Sequence, residues 1–380
     1  MGALAGSLSE VAARVGADVC APAAAEVDRD GRFPHESLAA FREAGLLSAM
    51  VPVELGGHGA TPSEVAAAVR AVAAHCASSA LVLAMHSMEV SNLARHGTTE
   101  PLRELQRTIV RDQPLIANAN SEVGTGGDVS QSVCAIEQVD GRPTLTKEAL
   151  AISYGEYADL VVATARRTPE SEAGDQVQVI CRRPELEPRS EWNALGLRGT
   201  CSRAFVLRAQ IDPDLVYPVP FSVIGSSGGL HAQLLFLSAV WVGLAEAAAT
   251  TAHRFVRAAA RRQLGTVPPS AVRLSELTTP LSQARALLDS VGRQVDEAAG
   301  ASTEDPGLLS GLRTLKIASS QSGVAVATAA LQICGISGYR KDSEFSVERI
   351  LRDASGGLVM VSNDRYIWAN AQMLTARKLI

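Results

Sequence analysis

Hydrophobic and polar positions alternate in three regimes along the chain. From residue 7 to about 110, apolar residues recur at helical spacing. Ser7-Leu8-Ser9-Glu10 opens an Ala/Val-rich segment, with Ser7 or Ser9 placed to cap it. Phe33-Pro34-His35-Glu36 begins another helix, which carries Leu38, Phe41 and Leu46 and ends near Gly45. Gly56-Gly57-His58-Gly59 reads as a loop. Thr61-Pro62-Ser63-Glu64 then starts a helix whose proline suits the first turn. Residues 78–96 read as one long apolar helix. From about 113 to 220 the pattern shortens to β-prone runs at 133–136, 144–146, 160–165, 177–181 and 204–207. Turn signals at Asp140-Gly141-Arg142-Pro143, Thr168-Pro169-Glu170 and Gly174-Asp175 separate them. From Gly228 onward the helical period returns over 231–260, 274–299 and 308–333.

The pattern predicts an α+β chain, mostly helical, in three parts. They are an N-terminal helical domain (1–112), a small antiparallel β-barrel or sandwich (113–220) and a C-terminal helical bundle (221–380). Helices apolar almost all round usually lie against other helices, often across a subunit interface.

Composition narrows the function. Net charge is −5, with 47% hydrophobic and 20% charged residues, which argues against a nucleic-acid groove. No apolar run reaches the ~18–20 residues of a membrane span. The N-terminus carries Glu10 and no basic segment before an apolar core, so neither a signal peptide nor a membrane location is expected. Six cysteines without a CxxC pair read as free thiols of a reducing cytoplasm. Seven histidines without HxxxH spacing point away from a metal.

The chemistry-bearing stretch is Asn120-Ser121-Glu122-Val123-Gly124-Thr125-Gly126-Gly127-Asp128, with Ala151-Ile152-Ser153 following inside the β region. Both can set backbone amides and small hydroxyls against a flat heterocycle, and glycine allows close approach.

Taken in order, these motifs resemble the acyl-CoA dehydrogenase superfamily over nearly the whole chain. Residues 46–57 (LLSAMVPVELGG) resemble the family's early Pro/Gly-Gly turn, and 93–98 (LARHGT) its helix end. Ser121-Glu122 through Gly126-Gly127-Asp128 is similar to its "TEPxxGSD" loop, and Ile152-Ser153 with Tyr157-Ala158-Asp159 to "W-I-(T/S)…AD". Residues 195–200 (LGLRGT), 332–339 (QICGISGY) and 349–354 (RILRDA) resemble three further family motifs.

The resemblance implies a helical domain, a β domain and a four-helix bundle. It also implies FAD, an acyl thioester on coenzyme A or an acyl-carrier protein, an electron-transfer partner or flavin reductase, and a homotetramer or dimer. The implied FAD-binding residues are Ser121, Gly126, Gly127, Ile152, Ser153, Arg261, Leu264, Gln332 and Gly335. Arg261 would reach the pyrophosphate from a neighbouring subunit, a sound match of guanidinium to phosphate. Without the resemblance, Arg261 is a solvated helix end and Gln332 a bundle-surface amide.

The chain departs from the family at the base. α,β-Dehydrogenation needs a carboxylate to take the α-proton, at a pKa tuned by burial. The two positions where the family places that glutamate are Val361 and Gln233 here, and the tryptophan beside the flavin is Ala151. Three readings follow. The chain is an acyl-thioester dehydrogenase with a displaced base, for which Asp364, His86 and His231 are candidates. Against these stand a salt bridge or helix cap for Asp364, a core histidine for His86 and a solvent-facing residue for His231. Alternatively it is a reduced-flavin monooxygenase of the same fold, or the non-catalytic subunit of a heteromeric dehydrogenase. The dehydrogenase reading is preferred, and the Ala-rich, Lys-poor composition points to specialised metabolism.

Overall fold

A computed structural model describes residues 6–262, 265–298 and 305–376. Six helices come first: α1 (Leu8–Val15), α2 (Ala21–Asp30), α3 (His35–Glu43), α4 (Pro62–Ala73), α5 (Ala77–His96) and α6 (Glu100–Asp112). Their starts follow side-chain chemistry. The Ser7 hydroxyl accepts the Glu10 N–H while the Glu10 carboxylate accepts the Ser7 N–H, and Thr61 and Glu64 repeat this capping box on α4.

Seven strands follow: β1 (Ile116–Ala119), β2 (Ile136–Val139), β3 (Arg142–Ile152), β4 (Leu160–Arg166), β5 (Gln176–Arg182), β6 (Glu185–Pro188) and β7 (Arg203–Gln210). They form two sheets, ordered β1-β4-β5 and β2-β3-β7-β6. Asp140 (φ 53°) and Gly141 (φ 74°) make the tight turn between β2 and β3. The sandwich departs from the expected antiparallel pattern at one pair, because β1 and β4 run parallel. The chain leaves the first sheet after β1, builds β2 and β3 in the second, and re-enters beside β1 in the same direction. The expected strand at 133–136 begins only at Ile136, because the Glu122 carboxylate takes the N–H groups of Val133 and Cys134 at 3.2 and 2.6 Å.

The remaining helices are α7 (Phe221–Ile224), α8 (Leu230–Arg262), α9 (Ser270–Glu297), α10 (Pro306–Cys334), α11 (Ile336–Tyr339), α12 (Glu348–Val359) and α13 (Asn363–Ala376). A π-helical turn, Gly225–Gly229, breaks α7 from α8. α8 is the axis of the molecule. It packs on α9, α10 and α12 of the bundle and on α4 and α5 of the first helical group. By length and composition alone, Phe221–Arg262 and Pro306–Cys334 could each cross a membrane, which corrects the sequence estimate; 78% and 44% of their apolar windows are buried inside the protein.

Two sequence motifs meet as scaffold. The Leu197 N–H donates to Asp353 Oδ1 at 2.6 Å, and Arg352 pairs with Asp28 and Glu348 while donating to the Leu195 carbonyl. The 195–200 and 349–354 segments thus lock the β sandwich, α2 and α12 together. Burial pushes the Asp353 carboxyl up to about 6.

Candidate functional site

The loop leaving β1 and the end of β3 converge. Ser121 Oγ donates to the Ala151 carbonyl at 3.4 Å, and the Val123 N–H to the Glu148 carbonyl at 2.9 Å. Gly124, Gly126 and Gly127 have φ of 95°, 61° and 80°, a left-handed backbone that favours glycine. A Cβ added at Gly126 would meet nothing within 4 Å, so this side of the loop is open. No acceptor among the described residues takes the N–H groups of Gly124, Gly126 or Gly127. Asn120 Oδ1 is buried without a partner beside them. Open amides on a bare backbone and an orphaned carbonyl suit the polar edge of a flavin.

Glu122 holds this loop from below. Its buried carboxylate accepts from Ser132 Oγ at 2.6 Å and from Lys147 Nζ at 3.1 Å, besides the two amides of the β2 approach. Lys147, with no exposure at all, also donates to the Thr164 carbonyl at 2.8 Å and so ties the two sheets. Burial pushes the Glu122 carboxyl up, but Ser132, Lys147 and the Cys134 amide outweigh it and hold it below the usual range.

Ser153 sits at the far end of β3, 8% exposed, in a hydroxyl chain. Its Oγ lies 2.8 Å from Ser202 Oγ, which lies 2.8 Å from Thr200 Oγ1, which donates to the Leu197 carbonyl at 2.9 Å. Ile152 is fully buried beneath it. Ser121, Gly126, Gly127, Ile152 and Ser153 therefore lie around the converging ends of β1 and β3.

α13 closes on this loop. Arg365 Nη1 donates to the Gly127 carbonyl at 2.6 Å. The preceding turn is fixed by fully buried Lys316, which donates to the Gly357 carbonyl at 3.1 Å and to Asn363 Oδ1 at 2.6 Å. Val361, on that turn, has φ of 50°, uncommon for a β-branched residue. Asp364 is exposed in the first turn of α13, where a carboxylate suits the helix dipole. That exposure denies it the burial that tunes a base, and Arg352 and Arg365 are both engaged elsewhere.

His86 is a core histidine. It is fully buried; Nε2 lies 2.7 Å from the Leu47 carbonyl, and Nδ1 accepts the Ile116 N–H at 3.1 Å. Both nitrogens are occupied, and burial drives the imidazole down to about 4. It clamps α5 to β1 and is corrected from the list of candidate bases. His231 and Gln233 are half-buried in the first turn of α8, just past the π-helical kink.

Arg261, Gln332 and Gly335 lie elsewhere. Arg261 ends α8; Gln332 and Gly335 end α10, Gly335 at φ 58°, and all three are exposed. Gln332 is about 24 Å along α10 from Lys316, at 1.5 Å per residue. The end of α10 thus lies well away from the turn that Lys316 fixes. Leu264 lies outside the described residues.

One group escaped the sequence reading. Glu89, on α5, is 1% exposed; Asn118 Nδ2 donates to its Oε1, and Oε2 has no partner. Burial raises its carboxyl to about 7, against the pull of Asn118 and Asn92. The one carboxylate in a long, mostly buried helix was the available signal.

The sequence profile of the acyl-CoA dehydrogenase N-terminal domain matches residues 6–111, and that of its C-terminal domain residues 227–359. Over 377 residues the chain is 26% identical to cyclohex-1-ene-1-carbonyl-CoA dehydrogenase of Syntrophus aciditrophicus (strain SB), covering 95% of this chain and 86% of that protein. Its fold is similar to that of FMN-bound TdsC from Paenibacillus sp. A11-2 (TM-score 0.86, 19% identity, 97% of this chain and 98% of that one). Butyryl-CoA dehydrogenase from Megasphaera elsdenii has the same fold (TM-score 0.84, 20% identity, 99% of each chain). The chain belongs to the acyl-CoA dehydrogenase superfamily and is a flavin-dependent oxidoreductase.

Proposed function

We propose that this chain binds FAD between the β sandwich and the C-terminal helices and dehydrogenates an acyl thioester between its α- and β-carbons. The observation that carries this reading is the glycine loop, with its open amides, held beside the start of α13 by Arg365. FAD supplies the hydride acceptor when bound. Ser121 and the amides of Gly126 and Gly127 hydrogen-bond its ring edge. Ile152 and the Ser153 hydroxyl chain support the ring from β3, and Arg365 holds the loop in place. The thioester carrier is coenzyme A or an acyl-carrier protein, and the electrons leave through an electron-transfer partner in the cytoplasm.

The second half of the cofactor site comes from another copy of the chain, whose Arg261, Gln332 and Gly335 hold the pyrophosphate. Two features support a homo-oligomer. Gln332 and Gly335 stand at the opposite end of α10 from the turn that Lys316 fixes, about 24 Å along the helix for Gln332. Ile336, Tyr339, Val359 and Trp368 also leave apolar surface exposed on α11–α13.

A reduced-flavin monooxygenase is the second reading. It is favoured by one specific observation, the absence of a carboxylate at both Val361 and Gln233. The fold likeness to TdsC, a dibenzothiophene monooxygenase, agrees with it. Anaerobic mixing of the holoprotein with a panel of acyl thioesters separates the two. Loss of the oxidised flavin absorbance supports dehydrogenation. Unchanged flavin, with oxygen uptake only when a reductase supplies electrons, overturns it in favour of the monooxygenase. Neither response alone, but activity with a second family subunit, identifies a non-catalytic partner.

A further inference from the structure

The hydroxyl chain that ends at Ser153 has a direction. A carbonyl oxygen only accepts, and two oxygens 2.9 Å apart repel unless a proton lies between them, so the Thr200 hydroxyl proton points to the Leu197 carbonyl. Each hydroxyl carries one proton. With its own spent, Thr200 Oγ1 accepts from Ser202 Oγ at 2.8 Å. Ser202 Oγ in turn accepts from Ser153 Oγ, also at 2.8 Å. The far end is anchored: the Leu197 carbonyl also takes the Thr200 N–H at 3.1 Å and Trp192 Nε1 at 3.2 Å, and the Leu197 N–H goes to Asp353. All three hydroxyl residues are buried, which keeps bulk water from reversing the chain.

Ser153 therefore gives its proton inward and offers only lone pairs to anything on its other side. Ser121 matches it, because its proton goes to the Ala151 carbonyl. The donors at this edge are the open backbone amides of the glycine loop. Hydrogen bonds to the ring nitrogens are one way a protein tunes a flavin. In the oxidised ring those nitrogens are acceptors, besides one imide N–H; the reduced ring carries additional N–H groups. A lone pair aimed at such a nitrogen opposes the oxidised form and bonds the reduced one. A hydroxyl that is itself donating along a chain accepts more strongly.

We propose that Thr200 and Ser202 are positioning residues that fix Ser153 as a hydrogen-bond acceptor toward the flavin ring and so favour the reduced flavin over the oxidised one. This rests on the placement of Ser153 at the flavin proposed above and adds how the chain sets the reduction potential of its cofactor. A raised potential makes the bound flavin a stronger electron acceptor, whichever donor supplies the electrons.

The test is the two-electron reduction potential of the flavin-loaded protein, measured by equilibration with a reference dye. Ser202→Ala removes the acceptor for the Ser153 proton and frees that proton to turn toward the ring. The preference for oxidised over reduced flavin is then expected to rise about tenfold, a potential lower by about 30 mV. Thr200→Val breaks the chain one link further out, lets Ser202 donate to Ser153, and is expected to shift the potential in the same direction. In a Ser153→Ala background neither substitution is expected to shift it further, because both act through that hydroxyl; a loss of packing alone would act equally in both backgrounds. A potential unchanged or raised in Ser202→Ala and in Thr200→Val overturns the inference alone. So does a shift that persists in Ser153→Ala. A potential that Ser153→Ala itself leaves unchanged takes Ser153 away from the flavin and overturns that placement and the inference together.

Discussion

Arg365 reaches across the molecule to the glycine loop, donating from Nη1 to the Gly127 carbonyl at 2.6 Å. Three features of the candidate site meet at that contact. The loop backbone is left-handed at Gly124, Gly126 and Gly127, its amides are open, and α13 starts beside it. Arg365 is itself exposed, so its contribution to global stability is small. Its effect falls on the loop. Arg365→Met is expected to weaken FAD binding about five- to tenfold, the worth of ~1 kcal/mol for one partly screened charge-assisted bond. Thermal unfolding of the flavin-free protein should hardly move. Flavin fluorescence titration measures the first and calorimetry the second. Unchanged FAD affinity would mean that the loop holds its shape without α13.

Glu122 and Lys147 behave differently because both are buried, at 3% and 0% exposure. Removing one charge strands the other. Glu122→Gln is expected to cost about 3–5 kcal/mol, read from urea unfolding. Lys147→Met should cost a similar amount. The double variant Glu122→Met, Lys147→Met should recover part of the loss, since no charge is then left buried. A fully additive double variant would refute the pairing.

Much of this fold is readable in the sequence where local chemistry decides. The capping boxes at Ser7 and Thr61 mark their helices because donor and acceptor lie three residues apart. The approach of the Ser121 loop to the end of β3 was legible because the polar loop follows one strand and Ser153 follows another. The role of His86 was not legible. It is settled by the Leu47 carbonyl and the Ile116 amide, backbone groups that any sequence would supply. β6 escaped as well: Glu185–Pro188 is a short edge strand with one apolar residue, and the β7 ladder alone makes it a strand. The parallel pairing of β1 with β4 depends on which sheet the chain re-enters, which no local pattern encodes.

One turn apart on α5, His86 and Glu89 respond to pH in opposite directions. Burial lowers His86 from 6.5 to about 4. The unfolded chain therefore binds the proton first, and stability is lost as pH falls from about 6.5 through 4. Burial raises Glu89 from 4.5 to about 7, so its contribution is complete below 4.5 and lost as pH rises through about 7. Asp353, raised from 3.8 to about 6, has the same sign as Glu89. The wild-type profile is flattened by this opposition. In Glu89→Gln the histidine slope is exposed, and stability should climb more steeply between pH 5 and 7. The wild-type advantage over the variant is expected to shrink by up to about 3 kcal/mol across that window. Urea midpoints at closely spaced pH values measure it; parallel profiles would show that Glu89 ionises as freely as a surface carboxylate.

Arg261 tests whether the cofactor site is shared. It is exposed at the end of α8, which runs in the same direction as α10. Arg261→Ala is expected to weaken FAD binding about tenfold or more, by loss of a guanidinium–phosphate contact. The sharper measurement combines two defective chains. If each site takes its loop from one copy and Arg261 from another, a mixed assembly of Arg261→Ala with Arg365→Met contains one intact site for every doubly damaged one. Random mixing of dimers then restores tight binding at about a quarter of the sites. Co-refolded or co-expressed variants, titrated with FAD, show a tight fraction only on this arrangement. A uniformly weak mixture would place Arg261 and the glycine loop at the same flavin within a single chain, or remove Arg261 from the site.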